Sequence, residues 1–385
     1  MKKISGLILI GLFMIACCSA AIAAKPKASV VKPDPVVQSQ QKEDLSDFKD
    51  DMNSALSDLK GQIDKVKSDN NDAKVGGVIF FNFQNYLQNA GANLNGFNVE
   101  RAYVDFKKKL DGGAAVRVTL DVARISTALD AAKTSQQLYN FLKYAYVELP
   151  ILDNSTIGIT GKLGLQQTVW IDWADKILNL RYIVKSLVDN EGVMSSADFG
   201  VGAAGKLKVG TMPDVEYQAT YLNGSGYKNA EADNKKNFGL RLNSNLLDFA
   251  DNGKLILGVW GQAIGMTNDL LTGTTKQTGA LLAFKHSLGT VYGEYLYGTG
   301  ISGYSVGAVC QLMQKWNAFV RMDNYDPNRD KANDQLDRSF YGVTYDWNKD
   351  VKLALDVQNV AGGSAAATSA GKATSIIFLH SMIAY

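Results

Sequence analysis

The residues with the most chemical potential in this sequence are charges that recur at every second position within apolar stretches. Between residues 101 and 107, Arg101, Tyr103, Asp105 and Lys107 alternate with Ala102, Val104 and Phe106. Between 116 and 122, Arg117, Thr119 and Asp121 alternate with Val116, Val118, Leu120 and Val122. A period of two puts the two sets on opposite faces of a strand, one apolar and one able to meet ions in water. A third set, Asp172, Asp175, Lys176, Arg181, Lys185 and Asp189, lies where Trp173, Ile177, Leu180, Val184 and Leu187 recur at helical spacing. Fixed charges of both signs on a water-filled surface bias which ions pass, and they do so without making or breaking bonds.

Catalytic chemistry finds little support. The chain has 2 histidines, His286 and His380. Ser381 follows His380 in a strand pattern and so points to the opposite face, while Ser287 stands at a turn. Neither forms a Ser/His/acid arrangement, so no catalytic residue is assigned and the chain is read as a non-enzyme. Two histidines and no cysteine cluster give no metal site, and the Asp/Asn-rich stretch at 323–330 reads as a solvated loop tip. No cofactor is expected. With 40 basic against 38 acidic residues, the chain carries no excess of positive charge for nucleic acid.

The elements that must position these charges begin after a targeting segment. Residues 1–24 combine Lys2 and Lys3, an apolar run of about a dozen residues and the small-residue exit Ala21-Ile22-Ala23, which reads as a cleaved signal peptide. Met14-Ile15-Ala16-Cys17 is the alternative, a lipobox that would acylate Cys17. Cys17 and Cys18 fall in the signal, so Cys310 alone remains and no internal disulfide can form. Residues 25–41 are polar and carry Pro26, Pro33 and Pro35, a flexible linker. Residues 42–74 read as a periplasmic coiled-coil helix. Leu45, Met52, Leu59 and Val66 recur every seven residues, with Leu56 and Ile63 at the complementary positions, although Lys49 takes one core place.

From 75 to 385 the period is two. Strand patterns fall at about 77–87, 97–109, 114–123, 138–149, 156–167, 197–206, 215–223, 236–245, 254–265, 276–286, 290–298, 303–312, 316–323, 338–346, 351–360 and 375–385. No stretch is apolar enough for a membrane helix. The fold class is therefore an all-β, transmembrane antiparallel barrel of about 16 strands. Connection lengths support it, because the even connections, such as 110–113, 287–289 and 313–315, are short. The odd ones, such as 124–137, 168–196 and 323–337, are long. Ile377, Leu379, Ile383 and Tyr385 alternate in the last strand, and the terminal aromatic resembles the signal by which the barrel-assembly machinery recognises its clients.

Several segments resemble bacterial porins of the phosphate-selective type. They are Phe97-Asn98-Val99-Glu100-Arg101-Ala102-Tyr103-Val104-Asp105-Phe106, Gly161-Lys162-Leu163-Gly164, Ala197-Asp198-Phe199-Gly200-Val201 and Tyr221-Leu222-Asn223-Gly224-Ser225-Gly226-Tyr227. The resemblance covers about residues 76–385 and implies a sixteen-stranded, trimeric pore in outer-membrane lipid, with the N-terminal segment in the periplasm. In such pores the connection between strands five and six folds inward, which here would make 168–196 the constriction. Arg101 beside Asp105, Arg117 beside Asp121 and Lys143 with Glu148 mix the signs of the inward charges. That mixture points to a general diffusion pore for small hydrophilic solutes, with an anion- or phosphate-selective pore as one alternative. A non-conducting structural, adhesive or periplasm-tethering barrel is the other.

Overall fold

The computed structural model describes residues 73–88, 95–124, 138–208, 210–249, 252–266, 275–362 and 374–385, together with Ser54, Ser57, Asp58, Lys60 and Gly61. The chain divides into two compact units, Met1–Asp69 and Asn70–Tyr385. The five described residues of the first unit are helical and exposed. The signal segment, the linker and the heptad positions Leu45, Met52, Leu56, Leu59, Ile63 and Val66 lie outside the described residues.

The second unit holds sixteen strands: β1 (Ala73–Gln88), β2 (Asn95–Lys109), β3 (Ala115–Arg124), β4 (Leu138–Asp153), β5 (Ile157–Gln167), β6 (Ala197–Leu207), β7 (Val215–Leu222) and β8 (Lys236–Asp248) form the first half. The second half is β9 (Lys254–Met266), β10 (Thr275–His286), β11 (Gly289–Gly298), β12 (Ser302–Met313), β13 (Trp316–Asp326), β14 (Leu336–Asp346), β15 (Val351–Gly362) and β16 (Thr374–Ala384). Each strand pairs antiparallel with its sequence neighbours, and β16 returns to β1 in the register Val78↔Ala384, which closes the barrel. Closure satisfies every ladder and removes the edges, the condition for a sheet to cross lipid. Tyr385 extends the seam, its N–H donating to the Gly77 carbonyl at 3.1 Å while Gly77 N–H donates to the Tyr385 carbonyl at 2.9 Å. β1 begins at Ala73, four residues before the strand expected at 77, because Ala73 and Lys74 still pair with Lys108 and Lys107.

The alternation seen in the sequence sorts the two faces as expected. On β3, Thr119 and Asp121 are buried while Val118 is exposed; on β11, Tyr292, Glu294 and Leu296 are buried while Val291, Tyr295 and Tyr297 are exposed. The outer face thus carries large apolar side chains, among them Leu163, Phe199, Val259, Leu282, Val306, Met322 and Leu355. That band is what a hydrocarbon surround requires.

Sixteen strands enclose more space than their own side chains can fill. The connection 168–196 occupies part of it. It contains helix α1 (Ile171–Leu178) and a single turn, α2 (Leu187–Asn190). Asn179, at φ 55°, ends α1 in the left-handed region, which asparagine tolerates. The helical spacing of Trp173 and Ile177 is thereby realised, but Leu180 and Val184 flank the turn at 181–183 and do not continue the helix.

Candidate permeation site

The segment 168–196 crosses the interior of the barrel and is tied to inward-facing side chains on both sides. Its apolar residues Val169, Trp170, Ile171, Leu178, Leu187 and Val188 are almost fully buried, and they form one cluster with Ile256, Trp260, Leu281, Tyr292, Leu296, Phe319 and Phe340 of β9–β14. Burying Trp170 alone removes roughly 150–250 Å² from water, worth about 4–6 kcal/mol before ordering costs. The wall makes room for this packing with glycine. A side chain at Gly258 of β9 would collide with the Trp173 ring, and one at Gly239 of β8 would come within 3.2 Å of Val169.

Polar ties fix the same docking. Glu294 of β11, 2% exposed, accepts the Trp170 indole N–H at 2.8 Å and the Leu187 backbone N–H at 2.9 Å, so one carboxylate holds two points seventeen residues apart. Arg321 of β13 donates to the Lys185 carbonyl at 2.6 Å and is itself held by Asp323 through two contacts of 2.7 Å. Gln358 of β15 donates to the Ile183 carbonyl at 3.4 Å, Arg241 of β8 to the Val169 carbonyl at 2.7 Å, and Arg338 of β14 pairs with Glu191. Charge-assisted bonds of this kind, shielded from water, are the strong class.

The charged residues singled out by the sequence fall into two groups. On the wall, Arg101 pairs with Asp121 at 2.9 Å, and Arg117 pairs with Asp105 at 2.8 Å, with Lys107 3.9 Å from the same carboxylate. These partners differ from the expected neighbours along each strand. The β2/β3 register places Tyr103 opposite Asp121 and Lys107 opposite Arg117, so the opposite charges meet diagonally across strands. Glu148 likewise pairs with Lys162 of β5 at 2.9 Å, not with Lys143.

On the crossing segment, Lys176 pairs with Asp172 at 2.8 Å one helical turn away, and Arg181 lies 3.3 Å from Asp175 and 3.5 Å from Glu100 of β2. Asp175 also accepts the Ser186 backbone N–H at 3.0 Å. Burial pushes the Asp175 carboxyl up to about 6, with Asp189 and Asp172 adding to the rise and Arg181 and the Ser186 N–H opposing it. Burial also raises the Glu191 carboxyl, against the pull of Arg338.

Lys143 and the tyrosines around it were not foreseen as a unit. The β3/β4 register shifts between Thr119 and Leu120, and this bulge turns both Lys143 and Tyr144 inward although they are adjacent in sequence. The Lys143 ammonium sits 4.4 Å from the Tyr103 ring centre and 5.5 Å from that of Tyr144, while the Arg117 guanidinium sits 4.5 Å from the Tyr144 ring. A strict period of two hides such a pair, since it assigns one of the neighbours to the outer face.

Two cavities flank this point. The larger, 900 Å³, opens toward the end of the barrel with short turns; its lining includes Lys74, Lys107, Lys108, Lys109, Arg117, Lys162, Lys176 and Arg241 against Glu148, Asp172 and Glu216. The smaller, 260 Å³, lies toward the long-connection end and includes Arg101, Lys143, Arg181, Lys185 and Lys228 against Asp189. Arg117 of the larger cavity and Lys143 of the smaller both lie against the ring of the buried Tyr144. The apolar packing fills mainly the β9–β15 side and reaches Phe80 of β1, and the charged space lies along β2–β8. Among the described residues no group of three or more His, Cys, Asp or Glu is arranged to hold a metal ion.

No protein-family model matches the sequence, and no curated protein matches it. Solved structures do resemble the fold. Pseudomonas putida OprB aligns with TM-score 0.57 at 8% identity, over 84% of this chain and 97% of its own. An anion-selective porin from Comamonas acidovorans aligns with TM-score 0.52 at 12% identity, over 81% of this chain and 99% of its own. A mutant of the Rh. blastica porin aligns with TM-score 0.51 at 12% identity, over 81% of this chain and all (100%) of its own. The architecture is that of a porin barrel.

Proposed function

We propose that this protein is an outer-membrane porin, a water-filled channel through which small hydrophilic solutes and ions diffuse passively. In this reading the segment 168–196 narrows the passage, and anions are favoured over cations. The observation that carries it is the asymmetry of the interior. The apolar packing of the crossing segment lies mainly against β9–β15, with Arg241 of β8 and Glu100 of β2 as polar ties on the other side, and the space left along β2–β8 has eight cations against three carboxylates in the larger cavity and five against one in the smaller. An anion entering there exchanges water for fixed positive charge, whereas a cation in the larger cavity meets Glu148, Asp172 and Glu216, each already held by a lysine.

In the same reading the barrel lies in outer-membrane lipid, which the apolar outer band supports, and the short-turn end and the N-terminal segment face the periplasm. Assembly as a homotrimer, and recognition of the last strand with Tyr385 by the barrel-assembly machinery, belong to the same proposal. The narrower reading, selectivity for phosphate, draws on the cluster of Lys74, Lys107, Lys108 and Lys109 lining the larger cavity. Against it, Glu148, Asp172 and Glu216 share that lining and would repel a dianion.

Swelling of liposomes carrying the refolded chain tests the channel. Rapid swelling in small neutral sugars that falls off steeply with solute size is the expected result. Liposomes that stay as tight as protein-free ones, with the barrel folded, would exclude a diffusion pore.

A further inference from the structure

The cavity at the long-connection end holds charge that the ion pairs of the wall leave over. Of its cations, Arg101 is neutralised by Asp121 at 2.9 Å, and Arg181 lies 3.3 Å from Asp175 and 3.5 Å from Glu100. Lys143, Lys185 and Lys228 have no carboxylate at ion-pair distance among the described residues, and Asp189 is the acidic group on the lining. Counting the three carboxylates that hold the arginines, five cations face four carboxylates, and the net positive charge is carried by lysines without a partner at ion-pair distance.

Of these lysines, Lys143 is the poorly hydrated one. Lys143 is 9% exposed, and what surrounds its ammonium is aromatic, with the rings of Tyr103, Tyr144 and Tyr227 at 4.4, 5.5 and 5.9 Å. Ring faces stabilise a cation without neutralising it. The Lys143 ammonium donates to the Tyr103 hydroxyl at 3.2 Å, which leaves that hydroxyl's own hydrogen to donate elsewhere. Burial, together with Arg101, Lys185 and Lys143 nearby, pushes the Lys228 ammonium down, only partly opposed by Asp121.

The three lysines stand on opposed surfaces. Lys143 is on β4, and Lys228 lies on the connection 223–235, 5.5 Å from the Phe141 ring of the same wall. That connection is pinned there by the Tyr227 hydroxyl, which donates to Asp121 of β3 at 2.8 Å. Lys185 is on the crossing segment, whose backbone is bonded at that residue to Arg321 of β13. A chamber of 260 Å³ is smaller than the roughly 300–1,000 Å³ of pockets for drug-sized ligands. A ligand that neutralises both surfaces at once must be small and carry a negative group at each end.

We propose that this chamber is a binding site for small dicarboxylates, with one carboxylate held by Lys143 and Lys228 and the other by Lys185. The proposal rests on the channel reading above, because the chamber then lies on the permeation path. The test uses the full chain in planar bilayers in potassium chloride, with the chloride current titrated by succinate, acetate and inorganic phosphate.

Succinate is expected to lower the current saturably, with its half-effect at a concentration roughly tenfold below that of acetate, the gain of a second charge-assisted contact. Lys185→Met should raise the succinate half-effect about fivefold while leaving acetate nearly unchanged, since a monocarboxylate needs one surface only. Lys228→Met, outside the strands, should weaken both. A linear response to succinate, or phosphate acting as strongly as succinate, would overturn the dicarboxylate site, as would insensitivity of succinate to Lys185→Met. Reversal potentials in the same membranes separate the two levels of the argument: anion preference without succinate saturation defeats this inference alone, and cation preference defeats the reading beneath it.

Discussion

Replacing Glu294 with glutamine isolates the tie that joins both ends of the crossing segment. The carboxylate accepts from Trp170 at 2.8 Å and from Leu187 at 2.9 Å, and both donors are buried. An amide has one carbonyl oxygen, so one of the two N–H groups would face an NH₂ group. Losing a hydrogen bond to a charged acceptor costs about 1.5–3 kcal/mol, and a buried donor left without a partner costs about 1–3 kcal/mol on the same scale. The loss is concentrated on the segment, because Glu294 also stands on a strand paired along its whole length to β10 and β12. The docked state would therefore lose on the order of 2–4 kcal/mol, enough to populate undocked conformations if docking is worth only a few kcal/mol more. In single-channel recording the Glu294→Gln protein should show added current noise and excursions to higher conductance. A correctly folded variant with the quiet, unchanged open current of the parent would refute the argument that this carboxylate holds the segment in place.

Other substitutions probe the same architecture from different sides. Gly258→Val should push the Trp173 ring off β9 and change single-channel conductance while leaving the barrel folded, as judged by heat-modifiable migration on gels. Arg321→Met leaves Asp323 buried and unpaired, which should destabilise the folded state by about 3–5 kcal/mol in denaturant titrations. Lys185→Glu should shift the reversal potential in a salt gradient toward cations; an unchanged potential would place this side chain off the ion path. Because the Asp175 carboxyl is raised to about 6, it is largely ionised at pH 7.5 and gains a proton as pH falls through 6. Removing that negative charge from the crossing segment should increase anion preference between pH 7.5 and 5. The folded state binds this proton more readily than the unfolded chain, so ionising Asp175 costs stability as pH rises from about 4 to 6. Asp175→Asn should flatten its part of the selectivity profile, and a profile identical to the parent's would remove Asp175 from the account.

The barrel was legible because its signals are local and repeated. Charges on one face and Val, Leu or Phe on the other mark β2 and β3 without reference to any partner. The short connection at 110–114 against the long one at 168–196 gives the parity of the meander. The interior was much less legible, since its partners are far apart in sequence. Trp170 and Glu294 are separated by 124 positions, and Arg338 and Glu191 by 147, so no spacing rule links them. Nor does a lone Glu294 between Gly293 and Tyr295 announce that it is buried. The charge pairs of β2 and β3 differ from the sequence expectation for a simpler reason: Arg101 and Asp105, like Arg117 and Asp121, share one face of a strand four residues apart, and only the register shows that the nearer carboxylate lies on the next strand. The bulge at Lys143 shows the limit of periodicity most clearly. Lys143 falls on the inner face by the alternation that it shares with Phe141, but a single extra residue brings the adjacent Tyr144 in beside it, and nothing in the sequence marks that pairing.

The central claim is that the barrel conducts and that the charge along β2–β8 selects anions. Zero-current potential across a planar bilayer holding the refolded full chain, with potassium chloride at unequal concentrations on the two sides, tests it most directly. The account predicts stepwise conductance increments and a potential whose sign reports chloride as the more permeant ion. Folded protein that adds no conductance, or a potential reporting potassium as the more permeant ion, would contradict it.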